Sequence, residues 1–166
     1  MTHGKYVGAT LSLTAVILTG CGTTGIVGAV GTPLSASLGQ PFSHVKSLVF
    51  MRGLPAAPVY QAKSVKKAAA TLEHLWASSR PYSGTVPKSP PVITHAYWGP
   101  SVLTVTTTQQ KTIEIFPTSW IVKKGHGEVM HYVPNVLTIK MNHQVSYVTN
   151  PALYHWFAHG GWESEF

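Results

Sequence analysis

Residues 136–148 read VLTIKMNHQVSYV, and this stretch decides the fold. Leu137, Ile139 and Met141 alternate with Thr138 and Lys140. Successive side chains on an extended chain point to opposite faces, so a period of two predicts a strand with one face buried and the other wet. Asn142-His143 supplies a turn, and 144–148 is the returning strand. Working outward, the runs 92–98, 102–108, 111–116 and 119–123 are likewise rich in Val, Ile, Thr, Tyr and Trp. Gly99-Pro100, Gln109-Gln110, Gly125-His126-Gly127 and Pro134-Asn135 read as the breaks between them. A further β-prone run, 45–51, ends at Gly53-Leu54-Pro55, and the proline-rich stretch 81–91 reads as a loop.

Two segments carry the helical period instead. Over 63–79, Val65, Ala68, Leu72, Leu75 and Trp76 recur at spacings that place them on one face, with Ser64 as a cap and Arg80-Pro81 as a stop. At the C-terminus Asn150 is an N-cap, Pro151 fits the first helical position, and Leu153, Trp156 and Phe157 share a face. The expectation is an α+β domain over 42–166: an antiparallel, meander-like sheet with one long helix on a face and a short C-terminal helix.

The 166 residues carry twelve Lys and Arg against five Glu and no Asp, for a net charge of +7, and nine histidines add cationic potential as pH falls. With so few carboxylates to lose, the balance suits an acidic medium and contact with anionic polymers or membrane surfaces. Cys21 is the sole cysteine, which excludes an internal disulfide.

The N-terminus explains that cysteine. Lys5 precedes an uncharged run whose 7–19 stretch is rich in Leu, Val, Ile, Ala and Thr, the pattern of a signal peptide. Leu18-Thr19-Gly20-Cys21 follows at once. This motif resembles the lipobox of bacterial lipoproteins, and the layout of the chain is similar to that of many small lipoproteins of Gram-positive bacteria. The resemblance implies removal of 1–20 and a diacylglyceryl group on Cys21, with 21–41 as a Gly, Ser and Thr-rich tether. It implies an address on the outer face of the cell membrane and names no reaction. Two alternatives stay open: an ordinary secretory peptide cut after Ala29-Val30-Gly31 or Ser35-Ala36-Ser37, and a transmembrane helix over 6–30.

Candidate chemistry is sparse. His155 and His159 have the four-residue spacing that puts two imidazoles on one helix face, with His126, His131 and His143 near turns as further ligands for a metal ion, the one cofactor considered. Lys63, Lys66 and Lys67 cluster at a helix start, where an anion would be favoured; the plainer reading is a solvated face. Trp76, Trp120 and Trp156 read as core, and Trp98 and Trp162, beside glycines, as rings for ligand stacking. Glu128 and His131 are the nearest thing to an acid–base pair, and no nucleophile motif is present. The sequence therefore points to a non-catalytic binding or accessory domain of the cell envelope, with an anionic polymer or another envelope protein as partner and no nucleic acid. A histidine-based metal-binding lipoprotein and a cell-wall hydrolase are the alternatives.

Overall fold

A computed structural model describes residues 41–53, 58–87, 99–125 and 127–166. Cys21, Trp98, His126, the 92–98 run and nearly all of the tether lie outside the described residues. In chain order the elements are β1 (Val45–Met51), β2 (Val59–Gln61), α1 (Val65–Trp76), β3 (Arg80–Pro81), β4 (Val102–Thr107), β5 (Thr112–Lys124), β6 (Gly127–Met141), β7 (Gln144–Thr149), α2 (Pro151–Ala158) and a 3-10 turn (Gly161–Ser164).

The seven strands form one sheet in the order β2-β1-β4-β5-β6-β7-β3. Every neighbouring pair is antiparallel, and β4 to β7 run as a meander. The alternation holds in part: Leu137 and Ile139 are buried and Lys140 is exposed, whereas Thr138, expected on the wet face, is buried and Met141 is half-buried. The face of Leu137 and Ile139 joins Leu48, Phe50, Leu103, Val105, Ile113 and Ile115 in a single core with Ala68 and Leu72 of α1 and Leu153, Trp156 and Phe157 of α2. Both helices therefore cover one face, and the fold is α+β.

The helix on the sheet is short, not the long one expected over 63–79. Ser64 Oγ accepts from the Lys67 N–H at 3.4 Å and starts α1 as expected. Its end is set from outside: Asn150 Nδ2 donates to the Leu75 carbonyl at 2.9 Å, and the Ser79 N–H turns to the Trp76 carbonyl. A twelve-residue helix is marginal alone, so burial of Leu72, at roughly 1.5–3 kcal/mol for such a side chain, does much of the holding.

Three further corrections concern the sheet. The runs 111–116 and 119–123 are one strand, because Pro117 still pairs with Leu137. Pro134-Asn135 does not end a strand. Between the pairs Pro117–Leu137 and Ser119–Tyr132, Thr118 alone faces residues 133–136, so the surplus is absorbed in a bulge with Asn135 at φ 62°. Thr118 in the bulge and Thr138 beside it meet through their hydroxyls at 2.9 Å, a bond that satisfies two buried polar groups. The edge strands β2 and β3, at three and two residues, are too short for a sequence period to show.

Candidate functional site

The meander does not stop where the sheet does. Pairs between β4 and β5 end at Leu103–Ile115, and pairs between β6 and β7 end at Val136–Thr149. Beyond them β5 and β6 continue as a two-stranded ribbon, with Trp120 opposite His131, Val122 opposite Val129 and Lys124 opposite Gly127. Gly125 turns the tip at φ 62°, a conformation glycine takes without a Cβ clash.

At the base of the ribbon lies a cleft of about 300 Å³, lined by Ser101, Pro117, Tyr132, Tyr154, Phe157 and Ala158. The bulge brings Tyr132 to this position, and α2 supplies Tyr154 and Phe157. Asn150 orients α2 by accepting the Leu153 N–H at 2.8 Å, and Pro151 opens the helix. Burial raises the Tyr132 phenol above the ordinary value near 10, and the negative charge Tyr154 would carry adds to the shift. Burial raises Tyr154 in the same direction. The cleft thus favours neutral phenols, which donate and accept hydrogen bonds beside aromatic faces. Such a lining suits a neutral, partly apolar group, a sugar ring for example, and holds no formal charge to pair with an ion.

A raised tyrosine value stabilises the folded state below about pH 10 and loses that contribution as pH climbs through the folded-state values. In a near-ultraviolet titration, Tyr132→Phe and Tyr154→Phe are each expected to remove a phenol ionising later than a free tyrosine. Loss of an ordinary or early ionisation in either variant would contradict the cleft geometry.

No family model, curated protein or solved structure matches the chain. The site therefore rests on its own geometry.

His155 on α2 and His159 at its C-cap are both exposed, and their rings stack with centroids 3.9 Å apart at 26°. A chelated ion lies in the plane of each imidazole, and two nearly parallel planes do not meet between the rings. The pair as it stands is stacked rather than chelating. His131 packs on Trp120 at 5.3 Å, and His143 lies at the β6–β7 turn, so these residues are not gathered at one point. Among the described residues no group of three His, Cys, Asp or Glu side chains stands close enough to hold a metal.

Lys63 is engaged within the fold: its Nζ donates to the Glu163 carbonyl at 3.0 Å and its N–H to the Glu165 carbonyl at 2.9 Å. The C-terminal turn thus sits on the start of α1, where the anion was expected. Lys66 and Lys67 remain exposed. Trp162 is core, not a stacking platform. Gly160, at φ 75°, reverses the chain after α2 and sends Trp162 inward, where it is 7% exposed and stacks on Phe50 at 4.5 Å. The Arg52 guanidinium lies 5.7 Å from its ring centroid. Trp156 is core as expected and Trp76 packs against it, whereas Trp120 stands half-buried on the ribbon.

Tyr132 and Tyr154 were missed as site residues. They lie on different elements, and no local spacing links them. The one signal was the pairing of Pro134 with Asn135, a bulge-prone dipeptide inside an otherwise β-rich run.

Proposed function

We propose that the chain is a lipid-anchored protein of the outer membrane face, acting as a non-catalytic envelope-binding domain with the cleft at Tyr132 and Tyr154 as its binding site. The observation that carries the address is Leu18-Thr19-Gly20-Cys21 closing an apolar run behind Lys5. Two acyl chains on one cysteine give the stable attachment that a single chain does not. Supporting a binding role, the cleft lining contains aromatic rings and hydroxyls but no carboxylate or histidine among the described residues. Glycan hydrolysis needs two carboxyl groups flanking the scissile bond, so a sugar-sized group held there would be bound rather than cut.

Cell fractionation tests the address. The wild-type chain is expected in the detergent phase of the membrane fraction, and Cys21→Ser in the soluble fraction, with most of the protein moved. Equal partition of the two would contradict an anchor on Cys21.

A further inference from the structure

The ribbon carries an apolar surface that the core does not use. Val122 and Val129 are each 40% exposed, although they sit directly opposite one another in a paired strand. An isolated two-stranded ribbon is marginal in water, and natural sheets avoid leaving aliphatic pairs on both strands of such an extension.

The two faces of the ribbon differ. One bears Ser119, Ile121 and Lys123 opposite Tyr132, Met130 and Glu128, and Tyr132 turns it toward α2 and the cleft. The other bears Trp120, Val122 and Lys124 opposite His131, Val129 and Gly127, and has no acidic position. It continues the sheet face away from the helices, where Lys140 Nζ lies 5.0 Å from the Phe116 ring centroid. Aliphatic side chains at the centre, a lysine at the tip and a tryptophan at the base form the composition that settles at a charged bilayer interface.

We propose that this face of the ribbon, centred on Val122 and Val129, lies flat on an anionic phospholipid surface. The inference rests on the anchored reading for proximity. Residues 22–41 separate Cys21 from Phe42, and twenty residues reach at most about 70 Å in any conformation, so an anchor on Cys21 keeps the domain within that distance of the bilayer. Charge selects the partner: Lys124, on this face, enters the tip turn of a chain of net charge +7. Laid flat, the ribbon seats the valines and the Trp120 ring among the headgroups and leaves the Lys124 side chain level with the phosphates. The cleft, on the opposite side at the ribbon's base, then faces away from the membrane.

The test uses the mature chain, residues 21–166, with Cys21→Ser, which carries neither the apolar 7–19 run nor a lipid, and a single new thiol bearing an environment-sensitive fluorophore. Val122→Cys reports the ribbon. Ala70→Cys, exposed on α1 over the opposite face of the sheet, is the control. Vesicles containing phosphatidylglycerol are expected to shift the emission to the blue at position 122 and not at 70. Pure phosphatidylcholine vesicles are expected to leave both unchanged. Lys124→Gln should weaken the response roughly fivefold, the contribution of one lysine at an anionic surface. No shift at 122, or equal shifts at both positions, would overturn the proposal, as would an equal response to phosphatidylcholine. A shift produced by soluble polyglycerol phosphate but not by vesicles would assign the face to a wall polymer and overturn it too. Because this protein carries no acyl group, failure here leaves the lipid on Cys21 to be judged separately by mass.

Discussion

Phe50→Ala is expected to cost about 4 kcal/mol and to lower Tm by roughly 15 °C in a domain of this size. Phe50 is fully buried on β1 and is the residue on which the aromatic core converges. Trp162 stacks on it at 4.5 Å, Trp156 meets it edge-on at 5.8 Å, and Phe157 and Phe166 lie at 5.9 and 5.7 Å. Removing the ring loses its transfer energy and leaves a cavity that four rigid rings cannot collapse to fill. Phe50→Leu keeps most of the volume and is expected to cost less than half as much. Thermal and urea unfolding of the three proteins measures this; a loss under 1 kcal/mol in the alanine variant would show that the C-terminal segment is not packed on β1.

The second large effect belongs to a polar residue. Asn150 is fully buried between α1 and α2. Its Nδ2 donates to the Leu75 carbonyl at 2.9 Å and to Ser79 Oγ at 2.7 Å, and its Oδ1 accepts from the Leu153 N–H at 2.8 Å. Its own N–H donates to the Asn135 carbonyl at 2.8 Å, which ties the bulge beside the cleft to the start of α2. Asn150→Ala removes a cap and strands the Leu75 carbonyl, an expected loss of about 3 kcal/mol. Asn150→Asp separates the two contributions. Aspartate caps a helix as well as asparagine does, so a simple cap would leave the variant near wild type at pH 7. A buried hub loses both donors and gains a charge, and the variant is expected to be at least as unstable as the alanine one. Chemical denaturation at neutral pH distinguishes the two.

Residue patterns revealed much of this fold where local chemistry was decisive. β1 spans 45–51 as read from its β-branched content, and α2 begins at the Asn150-Pro151 signal. The failures have a common origin in contacts between segments distant in sequence. α1 stops early because Asn150, from the other end of the domain, takes a carbonyl that the next turn of helix would have used. β5 and β6 run past their prolines because a bulge takes up the misfit, and that same bulge delivers Tyr132 to the cleft. Trp162 looked available because it follows glycines, yet the left-handed Gly160 is what folds it inward. The histidines of α2 were correctly placed on its solvent face, but spacing alone could not show that they would stack. No part of the cleft was legible, since its residues come from β5, β6, α2 and the approach to β4.

The anchor on Cys21 decides where every proposed contact can take place, and the mass of the intact protein purified from its native host measures it directly. The account requires a chain that starts at Cys21 and is heavier than its polypeptide by a diacylglyceryl group, with Cys21→Ser abolishing the added mass. A chain that retains Met1, or that begins elsewhere with its thiol free, would contradict it.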